Sequence, residues 1–273
     1  MSPYGRTVLV TGGTSGIGQA TAQALARAGY TVYAASKSAA GPVTDLPNGG
    51  SIHPIHLDVT DQASVDQAVA TITAESGPIG LVVHSAGIGI AGAGADTPAD
   101  AVHRQFETNF HGVLRVNQAV LPGMMAAGRG LVVIVSSVAA LFPIPFQSHY
   151  AASKAALEAY GRALRMELQT YGIRVCLVQP GDTKTGFTEH RTYDIPTGSP
   201  FEETCRKSVA RMEHDEQTGR SPDSVARRIV TLAGRTHPPV RNVIGGDYKA
   251  MVFVARLLPV SLIDRVLRGM YVR

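Results

Sequence analysis

The sequence predicts a single α/β domain built on a doubly wound, seven-stranded parallel sheet with helices on both faces, and three observations carry that expectation. Short apolar, β-branched runs alternate with longer stretches of helical period along most of the chain. A glycine-rich turn joins the first of these runs to the first helical stretch. The 273 residues, 44% apolar and 17% charged, show no repeat, linker or composition break before about Gly181, so one domain is expected to span residues 1–273.

The seven runs are Thr7 to Val10, Thr31 to Ala35, Ser51 to Leu57, Ile79 to His84, Leu131 to Ser136, Ile173 to Gln179 and Arg241 to Ile244. Helices are expected to start near Ile17, Asp61, Pro98, His149 and Ser221. Gly29, Gly77, Gly128 and Gly172 stand where helices should stop, as left-handed C-terminal caps. Asp61 reads as an N-cap, its short carboxylate able to accept from a free first-turn N–H. From Asp182 to Gly219 the alternation fails. Pro196, Pro200 and the interspersed Phe187, Tyr193 and Phe201 make this stretch too irregular for an ordinary connection and predict a lid over a binding site. The final stretch, Tyr248 to Arg273, is apolar with interleaved arginine and is interrupted by Pro259.

Composition excludes several function classes. Lys and Arg number 25 against 21 Asp and Glu, and the excess of +4 sits near the C-terminus, so no nucleic-acid footprint is expected. No 18 uncharged apolar residues run together, and Met1 to Thr7 carry no signal core. Cys176 and Cys205 lack metal or redox spacing, which fits a reduced, cytoplasmic protein. The nine histidines form no metal-binding pattern and no metal is expected. His53 and His56 flank Pro54-Ile55 in a strand, and His149 and His190 fit packing or surface roles better than substrate contact.

Thr11-Gly12-Gly13-Thr14-Ser15-Gly16-Ile17-Gly18 follows the first strand and opens a helix free of glycine through Ala28. Gly12 permits the tight exit, Gly16 lets backbone approach a pyrophosphate, and Gly18 lets the helix pack on the strand. Phosphate oxygens would there meet unpaired N–H groups at the positive end of the helix dipole. This is the opening unit of a dinucleotide-binding, or Rossmann, fold. The second strand ends in Ser36-Lys37, where an NAD site would carry a carboxylate, so NADP(H) is the expected cofactor. Asp58, followed by Val59 at the carboxyl end of the third strand, is placed to accept from an adenine amino group.

Tyr150 and Lys154 lie four residues apart near the start of a helix and therefore on one face. An ammonium beside a phenol should favour the phenolate and lower the tyrosine pKa from its usual value near 10. Ser136 and Ser137 end the fifth strand at the edge where a cofactor would lie, and Asn109 stands in mid-helix, where Asn has little intrinsic reason to be.

Taken in this order, the glycine turn, Asp58, Asn109, the serines, Tyr-x-x-x-Lys and Pro180-Gly181 resemble the short-chain dehydrogenase/reductase family over about Arg6 to Gly246. The resemblance implies an oxidoreductase that moves a hydride between a nicotinamide and an alcohol or carbonyl carbon. Ser137, Tyr150 and Lys154 would be catalytic, and Asn109 would hold a water of the proton relay. Thr14, Ser15, Ile17, Ala86, Gly87, Pro180, Gly181, Thr183 and Thr185 would contact the cofactor together with the three glycines, Tyr150 and Lys154. One departure is His84-Ser85-Ala86-Gly87 where the family carries Asn-Asn-Ala-Gly, which should alter local hydrogen bonding. The apolar stretch from Ser137 to Phe146 looks like that of 17β-hydroxysteroid and retinol dehydrogenase-type members. A hydrophobic ketone or alcohol is thus the expected small-molecule partner, held by Phe142, Phe146, Phe187 and Tyr193. The basic, apolar tail is expected to cover the pocket mouth or a neighbouring subunit of a homodimer or homotetramer rather than a membrane. A redox sensor would need only the glycine turn, and the full Ser, Tyr, Lys and Asn set argues against it.

Overall fold

Side chains alternate across a strand, and here both sets are apolar because both faces of the sheet are covered. In the computed structural model, which describes residues 2–188 and 191–272, the strands and helices alternate along the chain. They are β1 (Thr7–Thr11), α1 (Gly16–Arg27), β2 (Thr31–Ser36), β3 (Thr44–Asp45), β4 (Ser51–His56), α2 (Gln62–Ser76), β5 (Leu81–His84), β6 (Ile90–Gly92) and α3 (Ala99–Phe106). There follow α4 (Gly112–Ala127), β7 (Gly130–Val135), α5 (Ser148–Glu167), β8 (Ile173–Gln179), β9 (Thr192–Asp194) and α6 (Glu202–Gln217). The remainder is α7 (Pro222–Ala233), β10 (Arg241–Val243), α8 (Gly246–Ala255) and α9 (Val260–Tyr271).

The main sheet runs β10-β8-β7-β5-β1-β2-β4-β3. Its parallel part contains the seven expected strands. The sequence did not reveal β3, a two-residue strand that pairs antiparallel with β4 at one edge. Strand order reverses between β5 and β1, so their carboxyl ends diverge and leave the crevice in which doubly wound sheets bind ligands.

Leu9, Tyr33, Val82, Val132, Ile134, Val175 and Leu177 point to one face, where α2, α4 and α5 cover them. Val8, Val10, Val32, Val83, Val133, Cys176 and Val178 point to the other, against α1 and α7. Caps set the helix ends as the sequence requires: Asp61 accepts from Ala63 N–H at 3.0 Å, Ser221 caps α7, and Gly77, Gly128 and Gly172 take positive φ.

The segment 182–219 departs from the expected irregular loop. Its second half is the helix α6, which buries only Cys205, Ser208, Val209 and Met212 and otherwise carries charge. Its first half contributes β9, paired in parallel with β6 as a separate two-stranded sheet. Asp182 and Lys184 bond to the Arg220 backbone, closing the segment at its base. Met1, Glu189, His190 and Arg273 lie outside the described residues, and with His190 the expectation attached to it.

Candidate active site

The glycine turn holds its shape by backbone proximity. A Cβ on Gly18 would sit 2.1 Å from the Gly12 carbonyl oxygen, and one on Gly12 would come within 2.9 Å of Ala86 N, so neither position admits a side chain. Thr11 adds a brace, its Oγ1 accepting from the Ser85 and Ala86 N–H groups at 3.2 and 3.3 Å. His84 supplies a second: its Nε2 meets Asn117 Oδ1 at 2.9 Å, and Asn117 donates to Tyr160. Burial pushes the His84 pKa down to about 4, so the ring is neutral.

A cleft of about 660 Å³ opens over the switch point between β1 and β5. Gly12, Thr14, Ser15, Gly16 and Ile17 line one end, and Ala86, Gly87, Ser137, Tyr150, Lys154, Pro180, Gly181, Thr183, Thr185 and Phe187 line the rest. Gly18 lies behind the turn as packing. Asn109 also stands behind the cleft, fully buried in a π-helical turn spanning Glu107–His111. Such turns are rare and occur frequently at functional sites. Asn109 accepts from Ile88 N–H at 2.8 Å and donates to Ile88 O and Ser153 Oγ at 3.0 and 3.1 Å, while Ser153 donates to the Tyr150 carbonyl. It therefore clamps the chain after β5 to the helix that carries Tyr150.

Tyr150 and Lys154 share the expected face of α5, with Lys154 Nζ 5.7 Å from the tyrosine ring centroid. Their electrostatics differ from expectation. Burial raises the Tyr150 pKa to about 12, against the lowering effect of a hydrogen bond with Ser137, while Glu216 raises it further and Arg191 lowers it. Burial likewise pushes Lys154 down to about 8. Its Nζ is directed at the Val135 carbonyl, 3.0 Å away, and the cost of burying a phenolate outweighs any help from the ammonium. Tyr150 is consequently a proton-bearing hydroxyl at neutral pH.

Not every expected residue reaches the cleft. Ser36, Lys37, Asp58 and Val59 stand at the carboxyl ends of β2 and β4, beyond its lining, while Ser38, which the sequence reading missed, lines it. Lys37 Nζ lies 3.0 Å from Asp58 Oδ2, and Asp58 accepts from Thr60 as well, which together hold its carboxyl below the usual range against the opposing effect of burial. Val59 is buried against Gly112. Phe187 lines the cleft with its ring 5.6 Å from that of Tyr150, whereas Phe142 lines a neighbouring cavity. Phe146 takes a left-handed φ of 65° and packs with Ala91, Cys205 and Val209 at the foot of α6, and Tyr193 is exposed and bonds to Glu213. His149 is also absent from the lining. Sequence reasoning missed Arg191 and Glu216, an ion pair beside Tyr150 in which Glu216 also accepts from Thr188 at 2.5 Å. The segment 182–219 brings them together, and no local pattern announces the pair.

The model of the short chain dehydrogenases matches residues 6–195. The chain belongs to the short-chain dehydrogenase/reductase family. It is 36% identical over 267 residues to a 3-ketodihydrosphingosine reductase of Bacteroides thetaiotaomicron, covering 97% of each chain. It is 32% identical over 281 residues to retinol dehydrogenase 8 of Bos taurus, covering 95% of this chain and 88% of the other. Among solved structures, a short-chain dehydrogenase from Streptomyces avermitilis superposes with a TM-score of 0.79 at 27% identity, covering 98% of this chain and 99% of that one. A short-chain dehydrogenase/reductase is an oxidoreductase using a nicotinamide dinucleotide, and the cleft fits one. The free N–H groups that open α1, the glycine cradle that excludes any Cβ, and the adjoining Ser36 Oγ, buried without a partner, are where phosphate and ribose oxygens would bond.

Proposed function

We propose that this chain is an NADP(H)-dependent reductase of hydrophobic ketones, with Tyr150 as the proton donor. The observation that carries the reading is the convergence of Ser137, Tyr150 and Lys154 on one cleft, where the Tyr150 hydroxyl holds its proton with a pKa raised to about 12. Bound along the cleft, a reduced nicotinamide supplies a hydride. Ser137 and Tyr150 would both donate to the substrate carbonyl oxygen, and Tyr150 Oη would pass its proton to that oxygen as negative charge builds on it. Lys154, largely cationic at pH 7, would hold ribose hydroxyls and stabilise the tyrosinate left behind. Phe187, over the Tyr150 ring, would exclude water from the carbonyl. The apolar character of Phe187, Ile88, Val138 and Ile144 around that point favours a hydrophobic ketone, in keeping with relatives named for a ketodihydrosphingosine and for retinol. Ser36, Lys37 and Ser38 favour a 2′-phosphate at the other end.

The test is Tyr150→Phe, assayed with NADPH and a panel of apolar ketones while cofactor affinity is followed by fluorescence. Turnover should fall by at least about a hundredfold, the scale of a lost general acid, with NADPH affinity nearly unchanged. Substantial residual turnover would remove Tyr150 from the role.

A further inference from the structure

The outer face of α8 and α9 is left unused by the reductase chemistry. Phe253, Leu257, Leu258, Leu262, Val266 and Met270 are all exposed there. On α9 two apolar stripes run side by side. Ile263 and Leu267 face inward onto Val138, Phe142 and Val252, whereas Leu262, Val266 and Met270, four residues apart, are 40%, 55% and 50% exposed. Exposed Arg265 and Arg268 both lie to one side of the outer stripe, and α8 with its following turn adds exposed Lys249 and Arg256. Against these four cations stand Asp247 and Asp264, and Asp247 is already paired with Arg220 at 2.6 Å.

Beneath this face lies a second cavity of about 520 Å³. One wall is apolar, with Val138, Phe142, Ile144, Met251, Leu267 and Met270. Met251 and Met270 belong both to that wall and to the exposed face, and Val138, Ile144, Asp182 and Tyr271 belong to this cavity and to the catalytic cleft. The second cavity therefore adjoins the catalytic cleft through shared wall residues, with its apolar wall facing one that carries Asp182, Arg211, Asp215, Arg220 and Asp247.

We propose that the outer face of α8 and α9 seats the protein on an anionic lipid bilayer, with the second cavity receiving the hydrocarbon chain of a lipid-borne ketone. The second half rests on the reductase reading, and the docking half does not. A helix with an apolar stripe bordered by arginine lies in the plane of a bilayer interface, its aliphatic side chains among the acyl chains and its guanidiniums at the headgroups. A second copy is the poorer occupant. A two-fold contact matches the same patch with itself, so it would set the patch of Lys249, Arg256, Arg265 and Arg268 against a second patch of the same sign, whereas acidic headgroups neutralise it.

Co-sedimentation of the full chain with vesicles tests this, using phosphatidylcholine alone and phosphatidylcholine with about one third phosphatidylserine, at low and high salt. Binding should need phosphatidylserine and weaken with salt. L262Q combined with V266Q, neither of which lines the cleft or the cavity, should lower the partition coefficient at least about tenfold. The same variant should retain turnover of a short, water-soluble ketone and an unchanged circular dichroism spectrum. No sedimentation with either vesicle overturns the proposal, as does a dimer in light scattering that becomes a monomer in the double variant. Vesicle binding without any turnover would instead defeat the reductase reading and leave the docking surface standing.

Discussion

Burial decides the chemistry of single residues here. Tyr150 and Lys154 are each driven toward the neutral form, one to about 12 and the other to about 8, so the pair at pH 7 is a phenol beside an ammonium with reduced proton affinity. His84 shows the same force acting on stability. Its pKa is about 4 when folded and 6.5 in an open chain, so below pH 6.5 the unfolded chain takes up a proton that the folded one refuses. Stability should hold above pH 6.5 and fall as pH drops toward 4, by an amount of roughly 3 kcal/mol at most. His84→Asn, with Asn117 still present as a partner, should flatten that part of the acid limb in chemical denaturation measured from pH 7 to 4. An unchanged slope would mean that other groups dominate it. The cofactor preference also belongs to single residues. Exposed Lys37 can leave Asp58 for a 2′-phosphate, and a lost charge-assisted hydrogen bond is worth about tenfold or more in affinity. Lys37→Ala should weaken NADPH by that factor and leave NADH alone, and Ser36→Asp should reverse the order of the two. Equal affinities for NADPH and NADH in the unmodified protein would refute the preference.

Elements place these residues by close backbone approach. With 2.1 Å between a Gly18 Cβ and the Gly12 carbonyl, Gly18→Ala must push α1 off β1, costing about 1–3 kcal/mol and spoiling the phosphate turn. Calorimetry should record a lower Tm together with lost dinucleotide binding, and retention of both would show that the turn can shift freely. What the sequence made legible follows the same logic. The parallel strands stand out because two covered faces demand continuous apolar runs, and the first helix because its glycine turn has few alternatives. α6 is hidden because only Cys205, Ser208, Val209 and Met212 are buried along it, a stripe too thin to stand out among its charges. β3, β6 and β9 have two or three residues each, too few for a period to form. Within the candidate site, spacing showed that Tyr150 and Lys154 share a helix face, strand and helix position drew attention to Ser137 and Asn109, and a role for any of the four came only with the family resemblance. The Thr11 brace, the Ser153 link and the Arg191–Glu216 pair arise from residues distant in sequence that only the folded chain brings together.

At the scale of the molecule, the C-terminal segment is joined to the cleft, which Tyr271 helps to line. Tyr248 packs over Gly181, where a Cβ would fall 2.2 Å from its ring, and its hydroxyl bonds to Asp182 at the base of the segment 182–219. Ile263 and Leu267 of α9 cover Val138 and Phe142, in the stretch that begins at Ser137. Ser137 itself caps the short turn Val138–Ala140 by accepting from Ala139 N–H at 3.1 Å, so whatever holds Val138 also holds the serine that would face the carbonyl. Deleting residues 259–273 removes α9 while leaving Tyr248 on Gly181. It uncovers Val138 and Phe142 and opens the second cavity to water, at a cost of about 2–4 kcal/mol for the partly buried aliphatic side chains lost. The Tm should fall by several degrees, and KM for long-chain ketones should rise while that for a short ketone changes little, because only the long chain needs the cavity. NADPH affinity should change less than the KM for the long-chain ketone, since of α9 only Tyr271 lines the cleft that would hold the cofactor. If KM rose equally for short and long ketones, α9 would be acting through the Ser137 turn alone, and the cavity would have no part in selecting the substrate.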